Sequence, residues 1–215
     1  MSKELFQAIH DNDRARVEQI IAADPAAALA HSESGVSALM QARYEGRRDV
    51  LDMLRPAVGE LDVFEAATLG DVSQLRKLLA GDPALARALS PDGFTALHLA
   101  AFFSQPEAAE ELLRSGADPN AVAKNSMKVA VINSAAASGR VDLVKVILRA
   151  GADPNACQQM GYTALHAAAA HDNVEMAQAL IHAGADPSLK SDDGQTAAEK
   201  AGPAVAALLK SGSDR

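Results

Sequence analysis

An all-α solenoid of about seven helix-turn-helix units is the fold this sequence predicts, and three observations predict it. One phrase recurs at near-constant spacing: Thr95-Ala96-Leu97-His98-Leu99-Ala100-Ala101, Thr163-Ala164-Leu165-His166-Ala167-Ala168-Ala169 and the shorter Thr196-Ala197-Ala198. A second phrase tracks it as Gly116-Ala117-Asp118-Pro119-Asn120, Gly151-Ala152-Asp153-Pro154-Asn155 and Gly184-Ala185-Asp186-Pro187-Ser188. Each copy lies where the chain should leave a helix, with glycine as the C-terminal cap and proline shortly beyond. Finally, 48% of residues are hydrophobic but only 3% aromatic, with no Trp, so Ala, Leu, Val and Ile carry the core and suit closely packed helices.

With the Thr position as register, units begin near Lys3, Ser37, Leu61, Thr95, Ala130, Thr163 and Thr196, at intervals of 34, 24, 34, 35, 33 and 33 residues. The corresponding segments are 1–34, 35–60, 61–90, 91–125, 126–158, 159–191 and 192–212. Each reads as two short antiparallel helices, for example Ala164 to Ala170 and Val174 to Ala183, with leucines and alanines at helical spacing. One such pair cannot bury its own apolar face, so neighbours stack into a continuous core and 1–215 is read as one domain. Polar Lys3, Glu4, Gln7, His10, Asp11 and Asn12 suit a terminal cap, and the chain fades into Lys210-Ser211-Gly212-Ser213-Asp214-Arg215, which should fray.

These phrases resemble the ankyrin repeat, whose pattern runs Gly-x-Thr-Pro-Leu-His-x-Ala-Ala, then a second helix ending in Leu-Leu, then Gly-Ala-Asp-x-Asn-Ala. The resemblance covers nearly the whole chain. It implies an ankyrin-repeat solenoid with projecting β-hairpin-like turns, and a histidine, here His98 and His166, that ties the hairpin to the helix start by hydrogen bonds. It also implies that the two residues after Ala-Ala face the concave side of the array, free of core contacts.

Departures from the pattern are local. Ala96, Ala164 and Ala197 stand where the family has proline, at little cost because alanine forms helices well. The step from Ser37 to Leu61 is about ten residues short, with Arg55-Pro56-Ala57-Val58-Gly59-Glu60 in place of the usual turn, which predicts a missing hairpin and a kink. Asp24-Pro25-Ala26 and Asp82-Pro83-Ala84 lie 58 residues apart, so the first two units echo the next two, as duplication of a two-unit block would leave them. The fifth signature, Ala130-Val131-Ile132-Asn133-Ser134-Ala135-Ala136, lacks Thr and His, and Lys128 replaces the turn glycine. The preceding hairpin, Ala121 to Val129, is two residues longer, and Lys124, Asn125, Met127 and Lys128 should project from it, where loops on rigid scaffolds often hold function.

Twenty Lys plus Arg against 28 Asp plus Glu give a formal charge of -8, which repels phosphate backbones and anionic lipid, so neither nucleic acid nor membrane is an expected partner. No leader-like start and no run of 18 uncharged apolar residues is present, and the lone Cys157 weakly favours a reducing compartment, so a cytoplasmic location is expected. No catalytic, cofactor-binding or metal site is predicted. His98 and His166 should stand roughly 20 Å apart, given helix spacings of about 8–10 Å, which is too far to share a metal. His171 and His182 have no ligand-spaced companions, Cys157 has no His or Asn partner, and Asp92-Gly93 and Asp192-Asp193-Gly194 read as turn chemistry rather than calcium loops. A non-enzymatic binding module follows.

By register the concave row is Tyr44 and Glu45, Thr68 and Leu69, Phe102 and Phe103, Ala137 and Ser138, then Ala170 and His171. Two of the five Phe, adjacent at positions expected to be exposed, mark Phe102 and Phe103 as leading contacts for a protein partner. The alternative is that the short second unit shifts the register and the rings pack against Tyr44 or Leu69. Phe94, Met127, Met160 and Tyr162 on the hairpins would extend the patch, unless they pack between hairpins. Partner-binding candidates are therefore Phe102, Phe103, Tyr44, Leu69, Phe94, Met127, Lys128, Met160, Tyr162 and His171. Competing functions are a homodimer closed by this face, and a regulatory subunit holding a small molecule in a cavity among the irregular second to fifth units.

Overall fold

The computed structural model describes residues 2–212, which form fourteen α-helices in seven antiparallel pairs. The pairs are α1 (Ser2–His10) with α2 (Arg14–Ala23), α3 (Ala38–Tyr44) with α4 (Arg48–Leu54), and α5 (Val63–Leu69) with α6 (Val72–Gly81). They continue with α7 (Ala96–Phe102) and α8 (Pro106–Arg114), α9 (Val131–Ala137) and α10 (Val141–Arg149), α11 (Ala164–Ala170) and α12 (Val174–His182), and α13 (Ala197–Lys200) and α14 (Pro203–Gly212). The expectation that the chain fades from Lys210 is corrected as far as Gly212, where α14 ends; Ser213 to Arg215 lie outside the described residues.

The first helices of successive pairs stack on one another, α1 on α3 through to α11 on α13, as an inner layer. Leu39, Leu97, Ile132 and Leu165, each two positions past the N-cap of its helix, and Leu5 on α1 are all at most 1% exposed. Burying each contributes about 1.5–3 kcal/mol. Fully buried Ala100, Ala101, Ala135, Ala136, Ala168 and Ala169 let these helices approach closely. Second helices form an outer layer, closed inside by Leu75, Leu112, Leu143, Ile147 and Met176. That layer is interrupted once, because α4 and α6 have at most marginal contact whereas α2–α4, α6–α8, α8–α10, α10–α12 and α12–α14 pack.

Local capping sets the register. Asp62 caps α5 through Phe64 and Glu65 backbone amides at 2.8 Å each, while Glu65 Oε2 accepts from the Asp62 amide at 3.1 Å. Register in the third unit therefore starts at Asp62 rather than Leu61, one residue later than the spacing predicts. Leu61 enters the core at 2% exposure because no hairpin precedes it. Elsewhere a β-bridge closes each hairpin, pairing His31 with Ser37, Leu89 with Thr95, Val122 with Ala130, Cys157 with Thr163 and Lys190 with Thr196; among the described residues none precedes Asp62. Asp24 and Asp82 each cap a short 3-10 turn, over Pro25–Leu29 and Pro83–Arg87, so the two proline phrases 58 residues apart share one local structure.

Between pairs, the turn phrase works as a clasp. Asn120 Nδ2 donates to the Gly151 carbonyl at 2.9 Å and its Oδ1 accepts from the Asp153 amide at 2.8 Å; Asn155 repeats this on Gly184 and Asp186. Arg87 Nε takes the same place one unit earlier, donating to the Gly116 carbonyl at 2.8 Å.

Candidate functional site

Hairpin tips and the C-terminal ends of inner helices frame a cavity of about 310 Å³. Its apolar walls come from Tyr44 on α3, Phe94 on the hairpin before α7, Leu99 and Phe102 on α7, and Met127 and Val129 on the long hairpin. His98, Asn133, Ser134, Ala137 and Gln158 complete it. Phe102 and Met127 remain 49% and 46% exposed, so the cavity opens to solvent between large apolar side chains.

Backbone bonds between hairpins hold this mouth. The Lys124 amide donates to the Gly93 carbonyl at 2.8 Å, the Gln159 amide to Met127 at 2.9 Å, and the Asp192 amide to Met160 at 2.9 Å. Asn125 Nδ2 donates to the Asp92 carbonyl at 2.9 Å. Asn125 is half-buried for that reason and does not project, in contrast to the sequence expectation; Lys124, Met127 and Lys128 do.

The helix beneath is fixed by one recurring bond. His98 Nδ1 meets Thr95 Oγ1 at 2.8 Å, and Nε2 lies 2.9 Å from the Val129 carbonyl at the end of the next hairpin. With Nδ1 accepting from the Thr95 amide, Nε2 carries the proton, so the ring is neutral and donates to Val129. Burial pushes His98 below the ordinary imidazole range, outweighing the Val129 and Ala121 carbonyls, which pull the other way. His166 repeats the geometry on the Gln195 carbonyl at 3.2 Å, and Asn133 fills the same register position with Nδ2 donating to the Tyr162 carbonyl at 3.2 Å. That bond leaves Asn133 Oδ1 buried with no hydrogen-bond partner among the described residues.

Tyr44, Phe94, Phe102 and Met127 are the candidates that the structure brings together. Phe103, expected to be exposed, is only partly so, because its ring lies 5.6 Å from that of Tyr44 and the Arg43 guanidinium sits 4.8 Å above it. The corrected register explains this contact. Between Glu45 and Phe103 the equivalent residue is Gly70, which offers no side chain to separate the rings. The same shift corrects Thr68, which is fully buried rather than facing the concave side; Leu69 takes that register position and is half-buried against the core. Tyr44 donates to Asp92 Oδ2 at 2.6 Å, and burial, reinforced by that carboxylate, pushes its phenol above the ordinary range.

Lys128, Met160, Tyr162 and His171 lie outside the cavity lining. Met160 is 58% exposed, and His171 is exposed beyond the end of α11. Tyr162 is half-buried beneath Lys200, whose ammonium stands 4.9 Å above the ring and 2.7 Å from Asp193. Lys200, and then Ser191, hold the Asp193 carboxyl down to about 2. Leu99, Val129, Asn133, Ser134 and Gln158 are cavity residues that sequence reasoning missed. A signal for two existed: Asn133 occupies the histidine position, and Leu99 is a large residue where the sixth unit has Ala167.

Among the described residues no three His, Cys, Asp or Glu side chains gather as metal ligands, and no helix is long and apolar enough to cross a membrane. Residues 124–214 match the family model for ankyrin repeats in three copies, and residues 92–124 match that for the single ankyrin repeat. The chain is 43% identical over 86 residues to E3 ubiquitin-protein ligase XB3 of Oryza sativa subsp. japonica, covering 40% of this chain and 19% of that protein. It is 63% identical over 43 residues to probable E3 ubiquitin-protein ligase XBOS31 of the same organism, covering 20% of this chain and 10% of that one. The matched stretch is thus about a fifth or less of either relative's length.

Proposed function

We infer that this chain, which belongs to the ankyrin-repeat family, is a non-enzymatic module that binds a protein partner across its hairpin tips and inner-helix ends. Ankyrin repeats generally mediate protein–protein interaction, and surface residues decide which partner each array takes. The observation that carries the reading is the open apolar cavity with Phe102 and Met127 half exposed at its mouth beside Phe94. Large apolar and aromatic groups around a pocket are what interface centres are made of. The charge of -8 disfavours nucleic acid, and we place the protein in the cytoplasm. Ligase activity of the named relatives is no part of this reading.

The test pairs Phe102→Ser with Met127→Ser, since Phe103 is tied to Arg43 and Tyr44. A protein captured by the parent chain should bind the purified double variant at least tenfold more weakly in calorimetry, at matched circular dichroism, as expected when two central contacts are lost. Unchanged affinity would move the interface elsewhere. Light scattering over a concentration series separates this reading from a homodimer closed through the same face, which would lose mass on dilution and in the variant.

A further inference from the structure

The chain carries an excess of carboxylates, with a net charge of -8, so its lysines and arginines have acids close at hand. Most of them are paired: Arg76 and Arg114 with Glu111, Lys145 with Glu175, Arg14 with Asp49. The two rims of the apolar mouth are different. On the hairpin rim Met127 lies between Lys124 and Lys128, all three exposed, and neither lysine has a carboxylate partner among the described residues. On the inner-helix rim Phe102 meets Phe103 edge-on at 5.1 Å, and the Arg43 guanidinium stands 4.8 Å above the Phe103 ring, also without a carboxylate. Arg43 Nη2 reaches the Phe103 carbonyl at 3.4 Å, the long limit of a hydrogen bond. Its Nη1 makes no hydrogen bond among the described residues and, unlike Nε, is not buried. Burial, and then the charge of Arg48, push Arg43 below the ordinary guanidinium range, as expected of a cation held without a counter-charge. The carboxylates nearest these rims are already engaged, Asp92 by Tyr44 and Ser90, and Glu45 by Gln41 and Arg47.

We propose that the partner presents an acidic segment interrupted by an apolar residue. The apolar side chain enters between Phe102 and Met127, a carboxylate on one side of it pairs with Arg43 Nη1, and carboxylates on the other side meet Lys124 and Lys128. Charge complementarity selects this occupant. Unpaired cations on opposite rims of one apolar opening, in a chain that is acidic as a whole, leave a local field that attracts carboxylates and repels basic segments. Arg43 Nη1 offers donors only, and a carboxylate oxygen is an acceptor that brings the missing counter-charge with it. The exposed Phe102 and Met127 between the rims call for an apolar group within a few residues of those acids, a combination that protein segments carry and phosphate backbones do not. The charge of -8 also repels a long polyanion approaching from a distance. This assignment rests on reading the mouth as part of a protein-binding surface.

The isotope-labelled full chain would be titrated with a capped peptide of leucine flanked on both sides by glutamates. Controls are the same peptide with glutamines for glutamates, the same with serine for leucine, and a single-stranded oligonucleotide. The acidic leucine peptide should shift the Phe102 and Met127 amides and the Arg43 Nε–H saturably, and both altered peptides should bind about tenfold more weakly. Raising the salt from about 0.01 to about 0.15 M, which shortens the screening length from about 30 to about 8 Å, should weaken it several-fold. Arg43→Gln should lose about tenfold, and Arg43→Lys, which keeps a cation over Phe103, should lose less. Lys124→Gln with Lys128→Gln, at exposed positions that leave the fold intact, should lose about fivefold. Arg149→Gln removes an exposed, unpaired cation on the outer helix α10 and should change nothing. Glutamine or serine peptides binding as tightly as the acidic leucine peptide, or no saturable shift, overturns the proposal. So does undiminished binding by both the Arg43→Gln and the paired lysine variants, an equal loss in Arg149→Gln, or tighter binding of the oligonucleotide. The peptides stand in for the partner, so their failure is distinct from failure of the Phe102 and Met127 test on a captured protein.

Discussion

Four residues at one register position, Glu65, His98, Asn133 and His166, answer a single requirement in different ways. The carbonyl that precedes the next helix needs a donor, which His98 supplies to Val129, Asn133 to Tyr162 and His166 to Gln195. Glu65 accepts at both carboxyl oxygens, from the Asp62 amide and from the buried Ser37 hydroxyl of the preceding unit at 2.7 Å, and so gives no donor to that carbonyl. His98 carries a pH consequence. Its folded pKa lies below the ordinary value of 6.5, because burial disfavours the imidazolium. The unfolded chain therefore binds this proton more readily, so the His98 contribution to stability is full above about pH 6.5 and is lost as pH falls through that value toward the folded pKa. His98→Asn keeps the donor and removes the titration. Urea midpoints measured from pH 7.5 to 5 should fall less for this variant than for the parent, and parallel curves would show that His98 does not titrate on unfolding. The Thr and His phrases made this tie legible from family resemblance alone. The Asn133 equivalent was hidden because Asn is commonly a turn residue, and only its register exposes the shared role.

Hairpins are the elements whose contacts the sequence conveys least. Their tips bond to one another as well as to the helices, and spacing along the chain carries no sign of the tip-to-tip bonds. Gly93, at φ +86°, would place an added Cβ 2.7 Å from the Lys124 carbonyl oxygen, the residue whose amide it holds. Gly93→Ala therefore both strains the backbone and parts two hairpins; a loss of about 1–3 kcal/mol is expected by thermal denaturation, and a smaller change would mean the tips yield without cost. Lys128 shows the opposite sign. It adopts φ +47°, which disfavours a side chain, at the position where neighbouring hairpins use glycine. Lys128→Gly should raise stability by about 0.5–1 kcal/mol, a melting shift of about 1–4 °C for a chain of this size, and a lowered melting temperature would show that the lysine side chain is itself held. The absent hairpin before Asp62 was visible as a short interval. The one-residue shift there arises because the Thr register carried forward by spacing falls at Leu61, whereas the capping pair of Asp62 and Glu65, three residues on, fixes the true start. That shift placed Thr68 on the surface, while the meeting of Tyr44 with Phe103 is the alternative that a shifted register had offered.

At the scale of the molecule, stability is distributed pair by pair, so a weak junction becomes a place where the array opens. One junction is thin. Among the described residues no β-bridge closes the turn that leads into α5, and the outer helices α4 and α6 scarcely touch. Contacts that span it include the packing of α3 on α5, the Ser37–Glu65 bond, Tyr44 to Asp92 at 2.6 Å, the stacked Tyr44, Phe103 and Arg43 side chains, and the Arg55–Asp71 ion pair at 4.0 Å. Helices α1–α4 should accordingly open as a unit at lower free energy than α7–α12, which are joined by inner and outer layers, hairpin bonds and asparagine clasps together. Hydrogen exchange would show amides of α1–α4 converging on one opening free energy below that of the central helices. Tyr44→Phe, which keeps the ring and removes only the bond to Asp92, should lower that opening by about 1–2 kcal/mol while leaving α9–α12 unchanged. Equal protection along the array, or an equal loss in every helix, would mean that the seven pairs unfold as one body despite the gap. The same hydroxyl ties α3 to the hairpin carrying Phe94, so opening of the N-terminal pairs should also loosen one wall of the cavity. Partner binding would then protect α1–α4 from exchange although it touches them only at the end of α3.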